Sequence, residues 1–203
     1  MVRNNAEHYY TKNPTSKLKP REIKVILRGE DFIFHTGSGI FSPDRVDKGT
    51  KLLIEKAEVK SGDSILDLGC GYGAVGISIG KTVPKTKIIL SDINERAVLL
   101  TNKNLKANQV KGKARSSDCF ENIKDKFDVI LLNPPQTAGK KLCFKMIEES
   151  KQFLKNGGNL QLVARHQKGG KTLSQKMEEV FDNIRVVSRG SGYRIYLSEK
   201  RNN

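Results

Sequence analysis

The sequence predicts an α/β fold built on a mostly parallel, doubly wound sheet that ends in an antiparallel hairpin. From residue 64 onward, short apolar runs alternate with longer amphipathic segments. Buried parallel strands are near-continuous apolar runs and their connecting helices are amphipathic, so this alternation is typical of a doubly wound sheet. Near the end of the chain, two apolar runs flank the glycine-rich turn 189–192, which predicts an antiparallel hairpin at the sheet edge.

A length of 203 residues is enough for one domain with modest appendages. We divide the chain into residues 1–60, which hold an N-terminal arm, a small β-hairpin and a first helix, and residues 61–203, which hold the α/β domain. Alternating apolar residues around the turn 28–31 predict the hairpin, and helical spacing over 46–56 predicts the helix. We expect both parts to form a single structural unit.

The elements of the α/β domain follow from the same periodicities. The predicted strands are 64–68, 87–90, one that ends before Asp118, 127–132, 159–163, 184–188 and 193–198. The predicted helices are about 73–81, 94–108, 138–155 and 169–181. Asn94 and Thr137 stand where N-caps are expected, and Gly157-Gly158 is expected to end the helix over 138–155.

The net charge of the chain is +15, from 37 Lys and Arg residues against 22 Asp and Glu residues. A domain with this excess repels itself unless polyanions are its usual partners, so we expect structured RNA as the partner. The loop after strand 159–163 should border the active edge of the sheet and contact phosphates. Its candidate RNA-binding residues are Arg165, His166, Lys168 and Lys171.

Several classes of protein are disfavoured. No apolar run approaches the roughly 18 residues of a membrane-spanning helix, and the polar N-terminus shows no secretory signal. Cys70, Cys119 and Cys143 lack C-x-x-C spacing, so we expect reduced thiols, and the scattered histidines predict no metal site. We therefore expect a cytoplasmic protein without membrane or metal partners; a monomer and a homodimer both remain open.

The first core strand ends in a glycine-rich segment that opens a helix, Asp67-Leu68-Gly69-Cys70-Gly71-Tyr72-Gly73. Glycines let backbone N–H groups approach a ligand at a helix N-terminus. The spacing also satisfies the dinucleotide fingerprint, which leaves a nicotinamide oxidoreductase open. Asp67 favours S-adenosylmethionine, because a carboxylate there opposes a pyrophosphate but suits an α-amino group. Asp92, after the next strand, suits ribose hydroxyls, and Asp118 could accept a hydrogen bond from the adenine amine.

A second motif, Asn133-Pro134-Pro135-Gln136, ends the strand beside the glycine-rich segment. Two prolines fix φ and donate no hydrogen bonds, so the motif presents acceptors. A target amine could donate one hydrogen to the Asn133 amide oxygen and another to the Pro134 carbonyl, which aims its lone pair at an electrophilic methyl group. No cysteine lies beside the motif, which argues against the covalent attack that cytosine C5 methylation uses.

These motifs together resemble one known family, the methyltransferase small domain family of RsmC-like class I methyltransferases, from about Tyr9 to the C-terminal hairpin. The segments that carry the resemblance are 39–42, Asp47-Lys48-Gly49-Thr50, 67–73, Asp92-Ile93-Asn94, 117–118 and 133–135. The resemblance implies a Rossmann-like fold with a seven-stranded sheet, S-adenosyl-L-methionine as cofactor, and guanine N2 methylation of ribosomal RNA. By position, it assigns the cofactor to Asp67, Gly69, Gly71, Gly73, Asp92, Ile93, Asp118 and Asn133, and the target base to Asn133, Pro134 and Pro135.

We therefore expect an enzyme that methylates a guanine in rRNA or tRNA after flipping the base out of its stack, with N2 favoured and N7 open. Gln136 stands where the family pattern has an aromatic residue, so the stacking residue must come from elsewhere. The candidates are Phe41, Tyr9, Tyr10 and Tyr193. Methylation of adenine N6 or of a protein glutamine remains open, because both use the same motif, and so does a non-catalytic RNA-binding module.

Overall fold

The structure is a computed structural model that describes residues 11–201 of the chain. Tyr9 and Tyr10, two of the candidate stacking residues, lie outside the described residues. The strands are β1 Pro20–Leu27, β2 Glu30–Gly37, β3 Ser64–Leu68, β4 Lys87–Asp92, β5 Gly112–Ser116, β6 Phe127–Leu132, β7 Leu154–Arg165, β8 Arg185–Gly190 and β9 Tyr193–Glu199. The α-helices are α1 Lys48–Lys56, α2 Ala74–Thr82, α3 Glu95–Ala107, α4 Lys140–Phe153 and α5 Lys171–Phe181.

The main sheet has seven strands in the order β5-β4-β3-β6-β7-β9-β8. Strands β3 to β7 pair in parallel, whereas β9 is antiparallel to both of its neighbours, β7 and β8. The predicted fold class, a mostly parallel seven-stranded sheet with an antiparallel C-terminal hairpin, is confirmed. The chain runs outward from β3 to β5 and then returns to β6, so the loops after β3 and β6 diverge and leave a crevice at the carboxyl ends of the strands.

The two faces of the sheet are covered by different elements. One apolar cluster joins the sheet to α1, α2, α3 and the β1–β2 hairpin, and includes the fully buried side chains of Leu27, Phe34 and Leu53. The other joins the sheet to α4 and α5, through residues such as Ile147 and Met177. The hairpin and first helix therefore share the core of the α/β domain.

Two asparagines attach the β1–β2 hairpin to α3. The Asn104 side chain accepts from the His35 N–H at 2.7 Å and donates to the His35 carbonyl at 2.9 Å. Asn108 makes the same pair with Ile33, at 3.1 and 2.8 Å. Asn104 and Asn108 lie on one face of α3 because they are four residues apart, and Ile33 and His35 face the same edge of β2 because they are two residues apart. The two side-chain amides therefore provide hydrogen-bond partners for the backbone N–H and C=O groups along that edge.

The described part of the N-terminal arm lies on the N-terminus of α3. The Arg96 guanidinium donates to the Ser38 carbonyl at 2.9 Å and to the Pro14 carbonyl at 3.3 Å, and the Glu95 N–H donates to the Lys12 carbonyl at 3.0 Å. Asn94 caps the same helix, because its Oδ1 accepts from the Arg96 N–H at 3.0 Å. This predicted N-cap is confirmed.

Two predicted helix ends are wrong. Helix α4 ends at Phe153, and Gly157-Gly158 instead lies inside β7, in a bulge where the Gly157 N–H donates to the Lys200 carbonyl at 2.8 Å. Gly157 has a φ of +76°, which explains a glycine at the bulge. Thr137 does not cap α4 but lies in the 3₁₀ turn Gln136–Ala138, and Gly139 precedes the helix. Helix α5 begins at Lys171, after an irregular turn over His166–Gly170.

Cys70, Cys119 and Cys143 are buried free thiols, as predicted. Within residues 11–201, no helix combines the length and the apolar character that crossing a membrane requires. The same part of the chain contains no cluster of three or more His, Cys, Asp or Glu side chains that could hold a metal ion.

Candidate functional site

A cleft opens at the carboxyl ends of β3, β4, β5 and β6, where the two halves of the sheet diverge. Most of the predicted site residues line it. These are Phe41, Asp67, Gly69, Gly71, Asp92, Ile93, Asp118, Asn133, Pro134 and Pro135. Gly73 and the four predicted RNA-binding residues of the loop 165–171 are not among the residues that line the cleft.

The three glycines after β3 serve different needs. Gly69, Gly71 and Gly73 all have positive φ, at 70°, 58° and 89°. A Cβ added to Gly71 would meet nothing within 4 Å, so a side chain would not clash there. Glycine is required at this position because of its positive φ. A Cβ on Gly73 would lie 2.8 Å from Ile77 Cδ1 and 3.0 Å from Thr101 Cγ2, so this glycine allows α2 to pack against α3 behind the cleft.

Asp67 lies at the floor of the cleft, where only 3% of the residue is exposed. Its Oδ2 accepts from the Gly76 N–H at 2.8 Å. Gly73, at the N-cap position of α2, has no side chain that could accept this bond, so Asp67 satisfies one of the free N–H groups of the helix. Burial raises the pKa of Asp67 to about 7; the Gly76 N–H opposes the rise, and the charge of Asp92 adds to it.

Asp92 holds the glycine-rich loop in place. Its Oδ2 accepts from the Gly71 N–H at 2.8 Å, and its Oδ1 accepts from the Asn94 N–H at 2.9 Å. Burial raises the pKa of Asp92 to about 6, against the opposing effect of these N–H donors. A carboxylate has about four acceptor positions, so both oxygens can still accept a hydrogen bond from a ligand.

The side of the cleft beyond Asp92 combines one carboxylate with apolar walls. Asp118 is 3.6 Å from the Lys145 Nζ through its Oδ1. The apolar residues Ile93, Leu142 and Met146, the last two from α4, also line the cleft. Sequence reasoning missed the two α4 residues, because apolar residues at helical spacing are typical of any core helix.

The Asn133-Pro134-Pro135-Gln136 motif crosses the other end of the cleft. The Asn133 Nδ2 donates to the Thr50 Oγ1 at 3.0 Å. The Gln136 N–H donates to the Pro134 carbonyl at 2.8 Å, and Pro135 has φ −73° and ψ 76°, so the motif folds into an inverse γ-turn. One lone pair of the Pro134 carbonyl is thus used within the motif, and the second remains for a ligand.

Phe41 lies at the mouth of the cleft, near the same motif, and is 38% exposed. The other described stacking candidate, Tyr193, is half-buried, and its ring lies 5.2 Å from the Arg165 guanidinium carbon. Phe41 lines the cleft and Tyr193 does not.

Gln136 connects the motif to the basic loop. Its Nε2 donates to the Lys168 carbonyl at 2.8 Å, within the irregular turn His166–Gly170. The expected adjacency of the loop and the motif is therefore present, although the loop lies beside the cleft and not in it. The Gln136 side chain thus fixes one loop to the other.

Five cations form what we call the basic surface, namely Arg165, Lys168, Lys171, Arg189 and Arg194. Arg189 of β8 and Arg194 of β9 face each other across the hairpin, a pair that sequence reasoning missed because their register is set by the fold. Within residues 11–201, no carboxylate forms a salt bridge with any of the five. Desolvation lowers the pKa of His166, and the charges of Arg194, Lys171 and Arg189 lower it further.

Comparison with known proteins identifies a family. The model of the methyltransferase small domain matches residues 31–197. The uncharacterized protein YbxB of Bacillus subtilis (strain 168) is 40% identical over 201 residues, which cover 96% of this chain and 99% of that protein. The ribosomal RNA small subunit methyltransferase C of Haemophilus influenzae (strain PittGG) is 31% identical over 171 residues, which cover 82% of this chain and 51% of that protein.

Among solved structures, the T. thermophilus 16S rRNA N2 G1207 methyltransferase (RsmC), in complex with AdoMet and guanosine, superimposes with a TM-score of 0.81 at 28% identity. The match covers 93% of this chain and 52% of that one. This chain thus spans about half the length of the curated methyltransferase C relatives that it matches. The Rossmann-like methyltransferase sheet is confirmed, and S-adenosylmethionine is the cofactor of the matched family. On the family match and the identity to these relatives, the chain belongs to the methyltransferase small domain family.

Proposed function

We propose that this protein uses S-adenosylmethionine to methylate the N2 amine of a guanine in ribosomal RNA. The observation that carries the proposal is the pair of acceptors at the cleft, the Asn133 Oδ1 and the Pro134 carbonyl, beside the glycine-rich loop. An exocyclic amine has two hydrogens to donate, whereas guanine N7 has none, so the acceptor pair favours N2 over N7. The choice of ribosomal RNA over tRNA is supported by the names of the relatives.

The cofactor is assigned to the residues around the first three parallel strands. Asp67 accepts from the α-amino group, Asp92 accepts from the ribose hydroxyls, and Asp118 accepts from the adenine amine. Ile93, Leu142 and Met146 enclose the adenine ring between apolar side chains. Gly69 and Gly71 allow the backbone to lie close to the ligand, and Gly73 contributes through the packing of α2.

The residues of this chain mainly orient the reacting groups. Bound S-adenosylmethionine supplies an electrophilic methyl group on a positively charged sulfur. Asn133 and Pro134 would hold the two hydrogens of the amine, which turns the nitrogen lone pair toward that methyl group for in-line displacement, in which the N–C bond forms as the C–S bond breaks and the nitrogen releases one proton to water. Phe41 stacks on the flipped base at the mouth of the cleft. The basic surface holds the adjoining phosphates.

The basic surface also helps to distinguish RNA methylation from the alternative functions. A protein glutamine substrate gives no reason for five cations that have no carboxylate partner among the described residues, whereas an RNA backbone does. Adenine N6 is an exocyclic amine like guanine N2, so the acceptor pair accommodates either group. Mass spectrometry of the methylated nucleosides distinguishes the two bases. A non-catalytic RNA-binding module would need the basic surface but not the buried carboxylates of the cleft.

The test uses the full chain, methyl-labelled S-adenosylmethionine, and small ribosomal subunits or 16S rRNA from a strain that lacks the gene. We expect label in the RNA, and mass spectrometry of the digested nucleosides should identify N2-methylguanosine. Total tRNA and ribosomal proteins from the same strain serve as competing substrates. N6-methyladenosine, a methylated protein or an absence of transfer would each contradict the proposal.

The affinity for S-adenosylmethionine should fall with decreasing pH. The raised pKa of Asp67, about 7, means that this carboxylate gains a proton as the pH falls below 7 and can then no longer attract an ammonium group. Above pH 8 both Asp67 and Asp92 are ionised. We expect about a tenfold weaker affinity at pH 6 than at pH 8 from Asp67 alone.

Isothermal titration across this pH range, in two buffers with different ionisation enthalpies, measures both the affinity and the protons released on binding. Asp67→Asn should bind weakly and lose the pH dependence that Asp67 causes. An affinity that is constant from pH 8 to pH 6 in the unaltered protein would contradict this assignment of Asp67.

A further inference from the structure

The segment Asp47-Lys48-Gly49-Thr50, which the proposed function does not use, lies at the start of α1. Asp47 is the N-cap, and its Oδ2 accepts from the Gly49 N–H at 2.8 Å and from the Thr50 N–H at 3.2 Å. The cap fixes the first turn of the helix, including the backbone of Thr50.

Gly49 fixes this turn against the main sheet. A Cβ at this position would lie 2.6 Å from the Tyr193 Cε1, so only glycine lets the ring of Tyr193 lie against the helix. The Tyr193 hydroxyl donates to the Asp47 Oδ1 at 3.3 Å. Helix α1 is thus held to β9 at the residues that precede Thr50.

Thr50 is 8% exposed and lines the cleft, where its Oγ1 accepts from the Asn133 Nδ2. An amide has a donor end and an acceptor end, so a partner that takes the Nδ2 leaves the Oδ1 for other donors. The hydrogen bond with Thr50 uses only the Nδ2, and within residues 11–201 no group donates to the Asn133 Oδ1. In this arrangement the Thr50 hydroxyl is the acceptor, and the amide is held in the orientation that leaves its Oδ1 for another donor.

We propose that Thr50 is a positioning residue that holds the Asn133 amide with its Oδ1 toward the cleft, where it accepts from the target amine. The inference rests on the proposed function for its catalytic consequence, but the orientation itself can be measured without any turnover. Without the hydroxyl, the amide is free to present its NH₂ group, which cannot accept a hydrogen bond from an amine.

The kinetic test compares Thr50→Val, which keeps the branched shape but removes the hydroxyl, with Thr50→Ser, which keeps the hydroxyl. Thr50→Val should lower kcat by about three- to tenfold, the effect of one lost hydrogen bond, with an unchanged KM for RNA and an unchanged Kd for S-adenosylmethionine. Thr50→Ser should restore most of the rate. Thr82→Val removes a hydroxyl that donates to the Ser78 carbonyl on α2, outside the cleft, and should leave the rate unchanged.

A double-mutant cycle and a spectroscopic measurement separate the inference from the proposed function. If Thr50 acts through Asn133, then Thr50→Val should cause no further loss in the Asn133→Ala background. In ¹⁵N spectra, the side-chain NH₂ signal of Asn133, identified by its loss in Asn133→Ala, should shift in Thr50→Val and return in Thr50→Ser. The role of Thr50 is overturned if the wild type is active and Thr50→Val has the same rate. It is also overturned if the NH₂ signal of Asn133 does not shift in Thr50→Val. An inactive wild type whose NH₂ signal still shifts overturns the proposed function and leaves the orientation supported.

Discussion

Asn133→Ala is expected to lower kcat by about 100- to 1,000-fold, while the Kd for S-adenosylmethionine stays near that of the unaltered protein. The substitution removes the amide oxygen that orients the target amine, but the carboxylates assigned to the cofactor lie on β3, on β4 and after β5. Single-turnover methylation of the RNA, combined with titration of the cofactor, measures the two quantities separately.

The matched control is Asn102→Ala, the same chemical change at an exposed position of α3. It should leave both the rate and the cofactor affinity unchanged. Asn133→Asp keeps an acceptor oxygen and should retain more activity than Asn133→Ala. Unchanged turnover in Asn133→Ala would refute the orienting role of Asn133, and a large loss of cofactor affinity would assign the residue to cofactor binding instead.

RNA binding should weaken steeply with added salt. If the five cations of the basic surface each neutralise one phosphate, the slope of log affinity against log salt is about −3.5 to −4.5. Raising the salt from 50 to 200 mM should then weaken binding by about 100- to 500-fold. Filter binding or fluorescence anisotropy with a labelled rRNA fragment measures this slope.

Charge-removing variants identify which cations contribute. Arg189→Gln and Arg194→Gln should each reduce the slope by about one unit and weaken binding to all RNA sequences alike. Lys176→Gln is the control, because this lysine is already paired with Glu148 and Glu179 and should contribute little. A flat salt response, or an equal effect of the Lys176 variant, would contradict RNA binding at the basic surface.

The elements that could be predicted from the sequence are those marked by a local pattern of apolar and polar residues. The apolar runs of β3, β4, β6 and β7 and the amphipathic helices between them are visible without tertiary information, and their alternation specifies the sheet. The glycine-rich segment and the Asn133 motif could be located because each follows directly after such a run. The predicted C-terminal end of α4 failed because the glycines at 157–158 serve a strand bulge that depends on pairing with β6 and with Lys200. The predicted cap at Thr137 failed because this residue belongs to a 3₁₀ turn that Gly139 separates from the helix.

The parts of the site that could not be predicted come from elements distant in sequence. Thr50 meets Asn133 across 83 residues, and nothing near either residue indicates the contact. Arg189 and Arg194 join the basic surface only through the register of the C-terminal hairpin. Gly73 follows the glycine pattern of a binding loop, but its immediate neighbours are the side chains of Ile77 and Thr101.

Strand β8 is the last strand of the main sheet, and no strand within residues 11–201 pairs with its outer side. An open strand edge is a template on which a second chain can add, and charged residues along it oppose that addition. Arg185 and Arg189 lie on this strand, the first paired with Glu58 and the second part of the basic surface. The charge of Arg189, which the proposed function assigns to RNA binding, thus also opposes the addition of a strand at this edge, and RNA bound there would cover it.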